Sequence, residues 1–116
     1  KVAFDGHSLA NECCKGEVND HRIWWVQAET VIGFLNEYQK HPQKENFLEA
    51  SEAEWEFIKE HVIDKRTGSE WFWEVNGSEW YWCIHEDHTP VEKPIVEPWK
   101  CPYHNGRMCM EVIRRL

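Results

Sequence analysis

The stretch from Trp99 to Arg107 combines side chains suited to acid–base chemistry on a small molecule. It reads Trp-Lys-Cys-Pro-Tyr-His-Asn-Gly-Arg, and prolines constrain the backbone that leads into it. Its histidine, His104, is the candidate general base, because histidine is the side chain that titrates near neutral pH without perturbation. Trp99 and Tyr103 offer large aromatic faces beside it. A second aromatic patch lies far upstream, at Trp24-Trp25.

Each of these residues also has a purely structural interpretation. His104 would then cap the last helix, and Trp25 and Trp99 would be ordinary core aromatics. Glu29 lies one helical turn after Trp25, where it would face the same cleft or form a solvated ion pair. Arg107 shares a helix face with His104. An ion pair is favoured for Arg107 over ligand contact, because charged residues are seldom buried unless paired.

Cys101, His104 and Cys109 have residue types that bind metals, at short spacing. They are only three candidates and contain no Cys-x2-Cys pair, which structural zinc sites usually have. The sequence therefore predicts no metal site, and a small zinc domain is the weakest of the alternatives.

Composition narrows the class of partner. The chain has 116 residues, 13 basic and 21 acidic, with a net charge of −8. This balance argues against a nucleic-acid or anionic-membrane partner, which needs a basic surface. No apolar run approaches the roughly 18 residues of a membrane span.

Five cysteines, an odd number, favour a reducing, cytoplasmic compartment. The length suits one domain, and the first residue, Lys1, suggests either a processed chain or a piece of a longer protein.

Two helices are predicted in the first half of the chain. Apolar residues at helical spacing predict one over residues 20–40, capped by Asn19 or Asp20 and ended by His41-Pro42. A second is predicted over 46–63, and the two would pack as an antiparallel pair. The second helix would begin with a capping box formed by Asn46 and Glu49. The helix predicted over residues 20–40 is apolar over a wide arc that includes Trp25, Ile32 and Phe34. We therefore expect it to pack against more than one neighbouring element.

The spacing of apolar residues changes at Gly68, from the helical period to strict alternation. Alternating aromatic residues on both sides of Asn76-Gly77 predict a β-hairpin over residues 70–85. The Gly-Ser-Glu-Trp sequence that begins at Gly68 is repeated nine residues later. Prolines exclude a helix over residues 86–103 and predict an extended path on the surface. A last helix is predicted over 104–116, and residues 1–19 are predicted to be loop with a short strand at Val2–Phe4.

Two separated motifs, Ile23–Glu29 and Trp99–Arg107, resemble the N-acylglucosamine 2-epimerase family and the cellobiose 2-epimerases within it. The resemblance implies a mainly α fold, the carboxyl-terminal part of an (α/α)6 barrel with a β-hairpin between helices, as one segment over residues 1–116. It implies that His104 is catalytic and that Trp25 and Trp99 bracket a sugar. Glu29, Tyr103 and Arg107 would line the cleft, while a second catalytic histidine would lie upstream of this chain.

The reaction implied by the resemblance is epimerisation at C2 of a reducing-end sugar through an enediol. It needs a base on each face of C2 and no cofactor. A rival hypothesis from another class is a non-catalytic carbohydrate-binding module built on the tryptophan-rich hairpin. We also expect the isolated chain to self-associate, because large exposed apolar patches are rare on monomers. It should be catalytically inactive, because the opposing histidine and most of the sugar cleft would lie upstream.

Overall fold

The computed structural model describes residues 3–65, 79–94 and 97–115. Within these ranges the chain is mainly helical, with two small two-stranded sheets. A single π-helical turn at Ile58–Val62 directly follows the second helix. The elements, in chain order, are β1 Glu12–Cys14, β2 Glu17–Asn19, β3 Arg22–Ile23, α1 Trp24–Lys40, α2 Asn46–Phe57, β4 Cys83–Ile84 and α3 Tyr103–Arg115.

Helix α1 begins at Trp24, four residues later than the sequence predicts, and ends at Lys40 as expected. The predicted caps are wrong: Ile23 precedes the helix in extended conformation and no side chain caps it. The reason is that Arg22 and Ile23 pair with β4, and the backbone N–H of Trp24 donates to the carbonyl of Trp82. The sheet therefore fixes where the helix can begin, and it brings Trp24 and Trp25 to the first turn.

Helix α2 and the π-helical turn together fill residues 46–62, close to the predicted range. The expected capping box is wrong, since Glu45 precedes the helix and no side chain bonds to its amino end. Helices α1 and α2 form the predicted antiparallel pair: Phe34 stacks with Phe47, and the Ser51 hydroxyl donates to the Val31 carbonyl. The contact of the later residue in α1, Phe34, is with the earlier residue in α2, Phe47, so the two helices run in opposite directions.

The amino-terminal region contains a hairpin that the sequence analysis missed. Strands β1 and β2 pair antiparallel around Lys15 and Gly16, whose φ angles are +51° and +88°. Two consecutive positive φ angles are typical of the tight turns that suit hairpins. The strands are largely exposed and lack alternating apolar residues, so the period-2 signal is absent. The strand predicted at Val2–Phe4 is a single bridge from Phe4 to Leu9, and Val2 lies outside the described residues.

Most of the hairpin predicted over residues 70–85 lies outside the described residues, as do its Asn76-Gly77 turn and the first copy of the repeat. The part that is described pairs with other elements. Trp80 bridges Ile63, and β4 pairs with β3. Residues 79–84 therefore pair with two parts of the chain. They bridge Ile63, which follows the π-helical turn, and they pair with β3, which precedes α1.

The secondary structure of the carboxyl-terminal region matches its prediction to within one residue, since α3 begins at Tyr103 rather than at His104. Residues 86–94 and 97–102 contain no helix, and α3 runs from Tyr103 to Arg115 with Arg114 and Arg115 in its last turn. Helix α3 packs on α1, and its buried Met108 joins the core. The other core side chains come from α1, α2, the π-helical turn, β4 and the bridge residue Trp80, and include Trp24, Ala28, Val31, Ile32, Phe57, Ile58, Val62 and Ile84. In the described part of the chain, no helix has the length and apolar character needed to cross a membrane.

Candidate active site

His104 and Glu29 form the centre of the candidate site. His104 is the second residue of α3, and Glu29 lies in the second turn of α1. The Nδ1 atom of His104 lies 2.9 Å from Oε1 of Glu29. A carboxylate can only accept, so Nδ1 carries the proton and the free lone pair of the neutral ring is at Nε2. About a third of each side chain is exposed, 34% for His104 and 32% for Glu29.

Arg107 holds the other oxygen of the same carboxylate. Its Nη1 atom donates to Oε2 of Glu29, which is the ion pair that the sequence analysis favours for this residue. Burial opposes ionisation of Glu29, but the hydrogen bonds from His104 and Arg107 outweigh it and lower the pKa of the Glu29 carboxyl. Glu29 is therefore an ionised acceptor at neutral pH, with each oxygen assigned to one donor.

Aromatic rings surround the imidazole of His104. The buried Trp24 packs against it nearly edge to face, with ring centroids 5.4 Å apart. Trp25 lies on another side at 5.8 Å and is 43% exposed. Tyr103 is nearly perpendicular at 5.0 Å and is 62% exposed. The histidine thus has an apolar floor and two open aromatic neighbours, which is the environment expected beside a bound apolar surface.

Trp99 lies apart from this cluster. The backbone N–H of Lys100 donates to the carbonyl of Glu97 at 2.9 Å, which closes a tight four-residue turn. Pro98 occupies the second position of this turn and Trp99 the third. Its side chain is 88% exposed and, among the described residues, it contacts no other aromatic ring. The structure therefore brings Trp25, Glu29, Tyr103 and Arg107 to His104, and leaves Trp99 projecting from the adjoining turn.

Sequence reasoning missed three polar residues beneath the site. Lys100 is 1% exposed, and its Nζ atom lies 3.3 Å from Oε1 of Glu79. Asn105, next to His104 in the sequence, donates to the same oxygen at 3.3 Å. No local sequence signal marks the burial of Lys100, because its partner Glu79 lies 21 positions away. The predicted surface path is wrong at this residue.

The described residues give no support to the two alternative hypotheses. Trp80 is buried in the core, and the ring of Trp82 is covered by Lys93, whose Nζ lies 3.8 Å from the ring centroid. Trp80 therefore offers no open face, Lys93 occupies one face of Trp82, and Trp71 and Trp73 lie outside the described residues. Across residues 3–65, 79–94 and 97–115, no three His, Cys, Asp or Glu side chains are grouped as metal ligands.

The sequence matches known sugar epimerases along nearly its whole length. It is 53% identical over 115 residues to a cellobiose 2-epimerase of Ruminococcus albus, covering 98% of this chain and 27% of that protein. This chain is a relative of the cellobiose 2-epimerases. No model of a known protein family matches it. The chain spans about a quarter of the length of the cellobiose 2-epimerases it matches.

Solved structures of sugar epimerases share this arrangement of elements. The structure of the cellobiose 2-epimerase from Bacillus thermoamylovorans superposes with a TM-score of 0.84 at 41% identity, over 98% of this chain and 27% of that one. A sugar epimerase from a ruminal bacterium superposes with a TM-score of 0.85 at 52% identity, over 99% of this chain and 27% of that one. Both comparisons cover nearly all of this chain and about a quarter of the longer proteins.

Proposed function

We propose that this chain is the carboxyl-terminal part of a sugar 2-epimerase of the cellobiose 2-epimerase type. In this proposal residues 1–116 form one segment of an (α/α)6 barrel, and the substrate is the reducing-end residue of a mono- or disaccharide. The observation that carries the proposal is the hydrogen bond between His104 and Glu29 inside a ring of aromatic side chains. It provides a base with a defined tautomer next to surfaces that suit a sugar.

The proposed reaction begins with the open-chain aldose, because the C2 proton is acidic only beside a free aldehyde. The Nε2 atom of His104 removes or returns this proton. The C–H electron pair forms a double bond between C1 and C2, and the carbonyl oxygen gains a proton to give the enediol. A second base, contributed by a part of the protein outside this chain, acts on the opposite face of C2. Return of the proton on that face inverts the configuration.

Glu29 supports this chemistry by orienting the imidazole. Its carboxylate accepts from Nδ1, so it favours the tautomer that leaves Nε2 available, and it stabilises the imidazolium that forms when Nε2 takes the proton. Arg107 occupies the second oxygen of Glu29 and so holds the carboxylate in this orientation. Glu29 is a positioning residue in this account, and Arg107 acts through it.

Trp25 and Trp99 are the proposed sugar contacts. Each offers exposed aromatic surface, which complements the apolar C–H faces of a sugar ring and excludes water from the intermediate. Tyr103 packs against His104 with much of its ring exposed, and in this proposal it lines the same opening. No metal or nucleotide takes part in the proposed reaction, which moves a proton only between carbon and nitrogen or oxygen.

We also propose that the enzyme works in the cytoplasm. All five cysteines are among the described residues, and none is bonded to another. Four of them are exposed, namely Cys13, Cys14, Cys101 and Cys109. Exposed free thiols are stable in a reducing compartment and unusual in secreted proteins.

The test is a sugar-conversion assay on the complete enzyme and on the isolated chain. The complete enzyme should convert a glucose-type reducing end, as in cellobiose, to the mannose-type epimer. The isolated chain should be inactive, because the opposing base lies outside it. Failure of the complete enzyme to change any C2 configuration across mono- and disaccharides would refute the proposal. Conversion by the isolated 116-residue chain would refute the need for an upstream base.

A further inference from the structure

We infer that the buried ion pair between Lys100 and Glu79 is a positioning device for the Trp99 turn. The turn comprises Glu97, Pro98, Trp99 and Lys100. The inference rests on the proposed function, since it assigns Trp99 a place beside the substrate, and it adds two residues to which the resemblance assigns no role. Lys100 and Glu79 are positioning residues: they act on substrate binding through Trp99.

Lys100 is the largest fully buried side chain among the described residues. Its Nζ atom lies 3.3 Å from Oε1 of Glu79 and 5.3 Å from the centre of the Trp24 ring. A lysine rarely loses its hydration unless its ammonium group is paired, so the site is built around this charge. The ammonium group thus lies near the same indole that packs against His104.

Glu79 joins the turn to the helix that carries His104. Its Oε1 atom accepts hydrogen bonds from Lys100, from the Asn105 side chain at 3.3 Å and from the Trp80 backbone at 2.8 Å. Asn105 belongs to the first turn of α3. One carboxylate oxygen therefore binds both the end of the Trp99 turn and the start of α3.

The other end of the turn is anchored to the same segment. Oε1 of Glu97 accepts from the indole Nε1 of Trp82 at 2.6 Å. The turn is thus held at Glu97 by Trp82 and at Lys100 by Glu79, while Trp99 at its apex is 88% exposed. Because the Trp99 side chain has few contacts of its own, these two anchors determine where its indole lies.

Although Glu79 contacts both the Trp99 turn and the start of α3, the two functional side chains have different nearest supports. His104 is held directly by Glu29 and by packing on Trp24. Trp99 is held through the Lys100–Glu79 pair. Loss of the pair should therefore weaken sugar binding strongly and proton transfer weakly, whereas loss of Glu29 should do the reverse. This separation distinguishes positioning from a general loss of stability.

The test uses the complete enzyme with the double variant Glu79→Gln/Lys100→Met. Removing both charges together avoids leaving either charged group without this partner. The expected result is a rise in KM that approaches the roughly tenfold rise expected for loss of Trp99 itself, with kcat within about threefold of wild type and an unchanged Tm, since a displacement of about 1 Å is enough to disturb a contact severely. The matched control is Glu56→Gln/Lys59→Met. It neutralises an exposed ion pair between α2 and the π-helical turn, and it should change neither KM nor kcat.

Two outcomes would overturn the inference. One is a folded double variant with wild-type KM and kcat. The other is a fall in kcat at constant KM, which would place the effect on His104. If the double variant does not fold, Glu97→Ala tests the other anchor without affecting a buried charge, and the same rise in KM is expected. A wild-type enzyme that binds a sugar but does not epimerise it refutes the proposed function alone, and the sugar Kd by calorimetry then replaces KM.

Discussion

Glu29 and His104 are separated by 75 positions in the sequence, yet Oε1 of Glu29 and Nδ1 of His104 lie 2.9 Å apart. The contact joins the second turn of α1 to the first turn of α3, and Arg107 completes it from the next turn of α3. Everything proposed about the chemistry depends on this contact, because it determines which nitrogen of the imidazole is available to a substrate.

Replacing Glu29 with alanine should lower kcat by about 100-fold in the complete enzyme, within the range that a positioned general base contributes. His104 would lose the acceptor that fixes its tautomer and orientation, while the sugar contacts would remain, so KM should stay within about threefold. Steady-state kinetics measures both constants. Glu37→Ala is the matched control on the same helix, since Glu37 pairs with the exposed Lys40. Equal effects of the two changes would contradict the role of Glu29.

Replacing Trp99 with alanine should raise KM about tenfold, which corresponds to about 1.4 kcal/mol of binding free energy. The indole is 88% exposed, so its removal should leave the free energy of unfolding within about 0.5 kcal/mol of wild type. Trp80→Ala provides the contrast, because Trp80 is in the core and its loss should destabilise by about 3 kcal/mol or more. A Trp99→Ala protein with wild-type KM would remove Trp99 from the sugar site.

Glu54 should make stability depend on pH. Its side chain is fully buried, and neither carboxylate oxygen has a hydrogen-bond partner among the described residues. Burial, together with the nearby negative charge of Asp5, raises the pKa of Glu54 from 4.5 to about 9, against the opposing effect of Arg22. The folded state therefore binds a proton that the unfolded state releases above pH 4.5, and the resulting loss of stability grows as pH rises from about 4.5 to 9.

The variant Glu54→Gln removes this loss, because an amide of the same shape is neutral at every pH. At pH 7 its free energy of unfolding should exceed that of wild type by up to about 3 kcal/mol, and near pH 4 the gain should vanish. Urea denaturation at the two pH values measures the difference. Glu52→Gln, at an exposed position on the same helix, should show no such dependence. A gain of equal size at both pH values would contradict the buried, protonated state of Glu54.

The isolated chain should self-associate through an open apolar groove between α1, α2 and α3. The groove encloses about 320 Å³ and is lined mainly by apolar side chains, including Val31, Leu35, Leu48, Trp55, Met108, Val112 and Ile113. Ile113 is 74% exposed at its edge. In the isolated chain the occupant would be the same face of a second copy. Light scattering should give a mass above 14.0 kDa, and Ile113→Ser should lower it.

The neighbouring Arg114→Ser change is the control for the association. Arg114 is 72% exposed and binds Glu111 of its own helix, so its loss should leave the mass unchanged. A wild-type chain that remains monomeric at high concentration would contradict the association.

Local patterns predicted the elements of this chain better than its long-range polar contacts. Apolar periodicity gave α1, α2 and α3, and His41-Pro42 marked the end of α1 correctly. The start of α1 was wrong because pairing of β3 with β4 overrides the capping preference of Asn19 and Asp20. The β1–β2 hairpin was missed because exposed strands carry no apolar alternation.

Local sequence patterns also predicted part of the candidate site. His104, Tyr103 and Arg107 are neighbours in the sequence, so a motif can indicate them together. The contact of Glu79 with Lys100 and Asn105 joins residues 21 and 26 positions apart and depends on how β4 and the Trp99 turn pack. No local pattern carries that information. Burial of Lys100 was therefore unexpected until the fold was known.

The central claim is that His104 moves the C2 proton, and proton exchange with solvent measures this directly. The complete enzyme should be incubated with a reducing sugar in D2O, and the sugars followed by NMR. Wild type should introduce deuterium at C2 of the epimer. His104→Asn should abolish both epimerisation and exchange while sugar binding by calorimetry is retained, because the lost group acts at the proton-transfer step. Epimerisation without deuterium at C2, or a His104→Asn enzyme with near-normal kcat, would contradict the account.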